Sequence, residues 1–254
     1  ALYNGNISQV LWQSTTDEVK RSYTYEYDRL NRLTDANYTA YDEVMEIWTK
    51  NTDRYTVSNI DYDHNGNILS LNRNGFNESE IYSPIDELTY LYDGNRLKAV
   101  QDIVETGAFN DFSDGVSDLE MEYTYDANGN MISDLNKGIS IEYNQLNLPQ
   151  TITFDSGKKI DYIYTSTGLK LKAIFQNIDL TTVTRDYSGA FVYNEGELDF
   201  FSSTEGRVVT NGSEFNYEYH YKDHLGNLRL AYSDLNGDGE IDVASEAVSY
   251  THLR

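Results

Sequence analysis

Cysteine is absent from this chain, so a disulfide framework and thiolate metal sites are both excluded. Proline is almost absent too, and two residues in 254 leave no room for a proline-rich linker. No run approaches the ~20 consecutive apolar residues that a membrane-spanning helix needs. The first ten residues lack the basic start and the apolar middle of a signal peptide. We therefore expect a continuous domain without membrane insertion.

Positive charge is scarce, because 19 Lys and Arg stand against 42 Asp and Glu and the net charge is −23. A nucleic-acid binder needs basic residues to meet phosphates, and docking on anionic lipid has the same requirement. We therefore expect no nucleic acid and no membrane surface as partner. The acid excess is typical of a large, soluble exposed surface. Cation binding and repulsion of an enclosed cargo are the alternatives.

Motifs for catalysis are missing as well. The chain has no Gly-x-Ser-x-Gly, no His-Glu-x-x-His and no glycine-rich phosphate loop with lysine. Glu197 and Asp199 alternate on a predicted strand in the same-face geometry of a glycosidase carboxylate pair, but an acidic chain supplies such pairs by chance. We expect no catalytic residue and no enzyme activity. Of the four histidines, His64 and His224 occupy equivalent predicted turns and His220 a predicted strand, so structural roles are expected for these three; the fourth is His252.

Tyrosine, in contrast, is abundant. The chain has 23 Tyr, although hydrophobic residues make up only 39% of it, below the usual share for a globular domain. A tyrosine can pack its apolar ring while its hydroxyl remains in contact with solvent. This composition suits a thin sheet with two partly solvated faces better than a thick, dry core.

The stretch Met121–Ile132 shows how these tyrosines are used. Tyr123 and Tyr125 alternate and therefore share one face of a predicted strand. Asp126 suits the turn that follows, and Gly129 supplies a positive φ at no steric cost. The pattern predicts a β-hairpin.

About eight copies of this strand-turn-strand pattern occur along the chain, which is typical of a repeat protein. A single hairpin cannot bury its apolar face, whereas neighbouring hairpins cover each other. The predicted fold class is therefore all-β, with stacked antiparallel β-hairpin repeats. The clearest predicted turns are Asp28–Asn31, Asp63–Gly66, Asp93–Asn95, Asp126–Gly129 and Asp223–Gly226. Tyr41–Trp48 does not fit this pattern, and its helical spacing predicts an irregular insertion or a short helix.

The repeated Tyr-Asp dipeptide resembles that of the RHS/YD-repeat proteins over nearly the whole chain. It stands here as Tyr27-Asp28, Tyr62-Asp63, Tyr92-Asp93 and Tyr125-Asp126. The most specific part is Tyr221–Arg229, which looks like the end of the repeat region, the RHS repeat-associated core, in Bacteroidetes-type RHS proteins. Teneurins carry a similar YD shell.

This resemblance implies that the repeats form part of a curved or hollow shell around another part of the same polypeptide. The chain would be a wall segment of a secreted or cell-surface bacterial protein of the polymorphic-toxin type, with a C-terminal cargo or toxin domain as its partner. The second hypothesis is a cell-surface adhesin or carbohydrate-binding repeat module whose partners are surface glycans. A carbohydrate hydrolase ranks third. The family's self-cleaving site resembles Asp-Pro-x-Gly, and this chain has no Asp-Pro.

A candidate calcium loop lies near the end of the chain. Alternating oxygen-bearing side chains can converge on one hard cation, and Gly239 permits a sharp turn. The pattern departs from an EF-hand at its twelfth position, where Ser245 replaces the bidentate glutamate. A long hairpin turn is the alternative. The candidate ligands are Asp234, Asn236, Asp238, Glu240 through its carbonyl, and Asp242.

Residues 1–7 look like the second half of a repeat, so we expect an internal fragment whose targeting signal lies upstream. The predicted division is a repeat domain over residues 1–245 and a tail over 246–254. We expect this tail not to be native sequence, because it differs from the family's usual continuation. Recovery of the same residues from an independently sequenced full-length gene would contradict that expectation.

The isolated fragment should self-associate in solution, because part of a shell separated from its neighbours leaves sheet edges and a tyrosine-rich face uncovered. Size-exclusion chromatography and a thermal melt test this prediction. We expect self-association and a broad transition. A monodisperse monomer with a sharp cooperative melt would count against it.

Overall fold

The computed structural model describes residues 2–13, 18–49, 54–76, 81–104, 111–115, 121–212, 214–223, 225–242, 245 and 247–249. These residues form β-strands, turns and irregular connections, and no helix occurs among them. The strand pairs are antiparallel hairpins. The predicted all-β fold class is thus confirmed. Nothing among the described residues is a helix able to cross a membrane.

The chain divides into two compact units, Ala1–Ile139 and Ser140–Arg254. In the first unit, seven strands follow the order β1-β2-β3-β5-β6-β7-β8, the short β4 pairs with β3, and β9 pairs with β10. Its strands are β1 Gln9–Gln13, β2 Lys20–Tyr27, β3 Leu33–Asp42, β4 Ile47–Thr49, β5 Val57–Tyr62, β6 Ile68–Phe76, β7 Tyr82–Asp93, β8 Arg96–Asp102, β9 Tyr123–Tyr125 and β10 Met131–Asp134.

A small hydrophobic core lies in this unit around Leu88, Val100 and Tyr123. Partly buried apolar side chains pack against it, namely Leu71, Tyr90, Leu97, Phe112, Tyr125 and Met131. The core therefore joins β7 and β8 to the following hairpin. Tyrosine rings supply much of its apolar surface, as the composition predicted.

The second unit is a succession of strands, each paired with the next along the chain. Among its described apolar side chains only Ala173, Val208 and Ala231 are buried. It is consequently a thin sheet with two partly solvated faces. Its strands are β11 Ile139–Tyr143, which begins at the last residue of the first unit, β12 Pro149–Phe154, β13 Lys159–Tyr164, β14 Lys170–Gln176, β15 Thr182–Ser188, β16 Phe191–Asn194, β17 Glu197–Ser202, β18 Gly206–Asn211, β19 Glu214–Lys222, β20 Leu228–Tyr232 and β21 Ala247–Ser249.

The predicted insertion or short helix at Tyr41–Trp48 is wrong. The segment is a tight hairpin in which Tyr41 lies opposite Trp48, with ring centroids 5.4 Å apart. Asp42 Oδ1 accepts the backbone N–H groups of Val44 and Met45, both at 2.9 Å. The aromatic cross-strand pair and the aspartate turn outweigh the helical spacing of the apolar residues.

The division at residue 245 stays a prediction. Of the predicted tail 246–254, only Ala247–Ser249 falls within the described residues, and it pairs with β20.

Gly206 lies where two backbones of the second unit approach closely. It begins β18 with a φ of 157°, and a Cβ added there would lie 2.1 Å from the carbonyl oxygen of Glu218. The carbonyl belongs to the neighbouring strand, so it cannot rotate away as a side chain would. Glycine is therefore required at this position by space.

Gly206→Ala should lower the free energy of unfolding by more than about 3 kcal/mol, because the added methyl forces β18 and β19 apart. Gly196→Ala is the matched control. Gly196 also has a positive φ, of 84°, but no atom lies within 4 Å of an added Cβ. The control should cost only about 1–2 kcal/mol. Urea denaturation followed by circular dichroism compares the two, and equal losses would contradict the steric explanation.

Candidate functional site

The repeated turns share one hydrogen-bond pattern. Asp63 Oδ1 accepts the backbone N–H groups of Asn65 and Asn67, each at 2.8 Å. The main chain closes around it: Gly66 N donates to Asp63 O at 3.2 Å, and Asp63 N donates to Asn67 O at 2.9 Å. Gly66 has a φ of 91°, which glycine adopts without strain. One carboxylate oxygen thus organises the whole turn.

The other carboxylate oxygen explains the asparagine or arginine four residues after the aspartate. Asn67 Nδ2 donates to Asp63 Oδ2 at 2.8 Å, and Arg32 Nε donates to Asp28 Oδ2 at 2.7 Å. The turns at Asp126 and Asp223 repeat the arrangement with asparagine. The predicted turns at Asp28–Asn31, Asp63–Gly66, Asp93–Asn95, Asp126–Gly129 and Asp223–Gly226 are confirmed.

The tyrosine before the turn makes the contact that sequence reasoning missed. Its hydroxyl donates to a backbone carbonyl at, or two residues before, the start of a strand that precedes it in the chain. The four described cases are Tyr27 to Ile7 O at 2.9 Å, Tyr62 to Leu33 O at 2.7 Å, Tyr125 to Leu97 O at 2.9 Å and Tyr164 to Pro149 O at 2.9 Å. We call the tyrosine, its turn aspartate (a threonine after Tyr164) and the accepting carbonyl a Tyr-Asp joint.

Two of these tyrosines are also covered by arginine. The guanidinium carbon of Arg32 lies 4.4 Å from the ring centroid of Tyr62, and that of Arg96 lies 5.9 Å from the ring of Tyr125. Burial raises the pKa of both tyrosine hydroxyls, more than the arginines lower it. The hydroxyls therefore stay protonated and remain hydrogen-bond donors.

Neighbouring turns in the first unit are tied together through their polar side chains. Asn65 Nδ2 and Asn67 Nδ2 donate to Asn95 Oδ1 at 3.0 and 3.1 Å. Arg32 Nη1 donates to the carbonyl of Asp63 at 3.0 Å. Adjacent hairpins are consequently linked at their tips as well as along their strands.

Asp199 of the acidic pair, and His220 among the histidines, make polar contacts on the strands. Asp199 Oδ2 lies 3.8 Å from Arg185 Nη2, and Glu197 is exposed. His220 Nε2 lies 2.8 Å from Glu218 Oε1, and Arg207 donates two hydrogen bonds to the same carboxylate. His64 occupies an exposed turn, whereas His224 and His252 lie outside the described residues. The absence of enzyme activity stays a prediction.

The candidate calcium loop directs its oxygens at its own backbone. Asp234 accepts the N–H groups of Gly237 and Gly239 at 2.7 and 2.9 Å. Asn236 and Asp238 each accept from the backbone two residues on. Asp242 Oδ2 accepts from the Ser245 hydroxyl, and Glu240 is exposed. Within the described ranges no three acidic or histidine side chains converge as a preformed metal site. Calcium binding here remains a prediction.

No family model and no curated protein matches this chain. Solved structures do resemble it. A crystal structure of TcdB2-TccC3 is 15% identical, with a TM-score of 0.40, over 94% of this chain and 16% of that one. The Photorhabdus luminescens Tc holotoxin pore is 14% identical, with a TM-score of 0.36, over 88% of this chain and 14% of that one. The chain thus spans less than a fifth of the solved chains it resembles.

Removing a single joint hydroxyl should cost measurable stability. Tyr164→Phe leaves the Pro149 carbonyl without its donor, so the free energy of unfolding should fall by about 1 kcal/mol. Tyr221→Phe is the control in the same unit, because that ring is 67% exposed and the change should be near zero. Urea midpoints measure both. A control that loses as much as Tyr164→Phe would contradict the role of the hydroxyl.

The turn aspartates should make the fold sensitive to acid. The side-chain hydrogen bond from Asn130, followed by backbone N–H groups, lowers the pKa of Asp126. Stability from this carboxylate is therefore present above its ordinary pKa and is lost as the pH falls through the lowered, folded-state pKa. Asp126→Asn should be less stable than the wild type at pH 7, with a difference that shrinks in acid. Melting temperatures over the acidic range test this, and a constant difference would contradict it.

The calcium loop predicts weak binding, at about 10⁻⁴–10⁻³ M, because its twelfth ligand is missing. Calorimetric titration of Ca²⁺ should give a signal that an Asp234→Ala/Asp238→Ala variant lacks. Flat traces for both proteins would end the hypothesis.

Proposed function

We propose that this chain is a structural, non-enzymatic wall segment of an RHS-type secreted or surface protein that encloses a C-terminal cargo of the same polypeptide. The observation that carries the proposal is the recurrence of the Tyr-Asp joint. The joint gives the family's name-giving dipeptide a physical role, because tyrosine ties a hairpin to its predecessor and aspartate closes the turn. Such hydrogen bonds between neighbouring hairpins are what a wall requires.

The thinness of the sheets supports the same function. A wall one sheet thick cannot rely on a large dry core, and the second unit buries few apolar side chains. Cross-strand ion pairs cover part of its surface instead, such as Lys172 to Asp186 at 2.9 Å and Arg207 to Glu218 at 2.7 Å. The net charge of −23 keeps such a large exposed surface soluble.

Protease protection of the full-length polypeptide tests the proposal. Segments downstream of this chain should resist a broad-specificity protease under native conditions and be digested after denaturation. A Tyr27→Phe/Tyr62→Phe/Tyr125→Phe variant should open the wall and speed the downstream cleavage. A Tyr217→Phe/Tyr221→Phe variant, altered only at exposed rings, should not. Downstream segments that are cleaved equally fast in native and denatured protein would refute enclosure.

A second candidate function, glycan binding, is favoured by one observation. Four aromatic side chains project from the same face of β19 and stay exposed by 42–67%: Phe215, Tyr217, Tyr219 and Tyr221. The opposite face carries Glu218 and His220 in polar contacts. A row of exposed rings is a platform on which sugar rings can stack. Binding to a polysaccharide panel that a Tyr217→Ala/Tyr221→Ala variant loses would support this function, and no binding by the wild type would reject it.

A further inference from the structure

The outer edge of β8 is closed by side chains where a neighbouring strand would otherwise pair. Val100 N donates to Glu122 Oε2 at 2.9 Å, and Asp102 N lies 3.4 Å from Asp114 Oδ2. Two residues before Val100 on the same strand, the Lys98 carbonyl accepts the backbone N–H of Glu122 at 2.7 Å. Two carboxylates thus each use one oxygen to satisfy this strand edge.

Their second oxygens have no partner. In the described part of the chain, five buried side-chain polar atoms lack a hydrogen bond, and four of them are oxygens of the first unit. Glu122 is the most extreme case, because its residue is 0% exposed and its Oε1 is still unpartnered. The four oxygens are Asp102 Oδ2, Asp114 Oδ1, Glu122 Oε1 and Asn136 Oδ1.

These four residues are neighbours, and we call them the β8-edge cluster. Asn136 Nδ2 donates to Glu122 Oε2 at 2.7 Å. A Cβ on Gly115, the residue after Asp114, would lie 2.8 Å from the carbonyl oxygen of Asn136. The contact between Asp114 and Asp102 completes the chain of neighbours.

The cluster concentrates negative charge without a cation of its own. Its three carboxylates take part in none of the ion pairs seen among the described residues. Burial, and then the charges of Asp86 and Asp111, raise the pKa of Asp102. Asp86 shows the contrasting arrangement: it is as buried as Glu122, but Arg73 and the backbone N–H of Phe112 satisfy both of its oxygens.

A buried oxygen without a donor costs free energy, and an unpaired buried carboxylate costs more. A cation would satisfy several such oxygens at once. Every unpartnered atom here is a carboxylate or amide oxygen, the donor set of a hard cation, and neither histidine nor cysteine is present to favour zinc. Calcium accepts six to eight oxygens in flexible geometry, whereas magnesium demands a near-ideal octahedron.

We propose that the β8-edge cluster binds one Ca²⁺ ion through Asp102, Asp114, Glu122 and Asn136. The carboxylates are not already converged as a three-acid site. The ion therefore draws the four side chains together, and water completes its coordination. The bound ion holds β8, through Asp102, to the segment around Asp114 and to the hairpin of β9 and β10, which Glu122 and Asn136 flank. This site is separate from the loop at residues 234–242.

Calorimetric titration of Ca²⁺ into chelator-stripped protein tests the proposal with two variants. Glu122→Gln can keep an acceptor for Val100 and Asn136 while replacing the unpartnered oxygen by an amide group. It should weaken binding by about tenfold or more, and without calcium it should melt no lower than the wild type. The Asp234→Ala/Asp238→Ala variant should keep this binding event, because it alters only the loop in the second unit.

Hydrogen exchange supplies a local readout that does not depend on the heat signal. Calcium should slow exchange at Val100 and Asp102 in the wild type but not in Glu122→Gln. Asp114→Asn provides the same test should Glu122→Gln lose the native circular dichroism spectrum. The proposal is overturned if the wild type binds no calcium, if Glu122→Gln and Asp114→Asn bind as the wild type does, or if the Asp234→Ala/Asp238→Ala change abolishes all binding.

Discussion

The fold depends on hydrogen bonds that tie neighbouring hairpins together, because its sheets bury little apolar surface. A tyrosine is suited to this role, since its ring covers the joint while its hydroxyl satisfies a carbonyl at the start of a strand that precedes it in the chain. Tyr62 and Tyr125 do this in the first unit and Tyr164 in the second. The aspartate after Tyr62 and Tyr125 fixes the turn, so each tyrosine is presented by a rigid hairpin end. The tyrosine and the aspartate of the dipeptide therefore act together, because the turn that the aspartate closes positions the tyrosine for its hydrogen bond.

The turns could be predicted from the sequence because their chemistry is local. The partners of Asp63 lie two and four residues away, and the positive φ falls on Gly66. Both features are visible as spacing in the sequence, and so is the alternation of the tyrosines on their strands. The all-β fold class follows from repeating such units. The segment Tyr41–Trp48 was predicted wrongly because its apolar spacing suits a helix, while the partner that fixes it as a hairpin is the cross-strand ring of Trp48.

The remaining features could not be predicted, because their partners are distant or carry no signature in the sequence. The acceptor of a joint tyrosine is a main-chain carbonyl, at separations from 15 to 29 residues. The β8-edge cluster combines Asp102 and Glu122, whose relation appears only when the edge of β8 is left without a strand. In a chain with 42 acidic residues, composition cannot tell which carboxylates are buried. Burial, not residue type, distinguishes Glu122 from the solvated majority.

The joint has a consequence for how such a chain can change over generations. Its acceptor is a carbonyl that every residue carries, and Ile7, Leu33, Leu97 and Pro149 serve equally well. At the joint itself, a hairpin therefore contacts its predecessor without requiring any particular side chain on it. Copies can be duplicated, deleted or exchanged by recombination, and the new neighbours need no compensating substitutions at the joint. An architecture joined in this way can lengthen or shorten by whole hairpins.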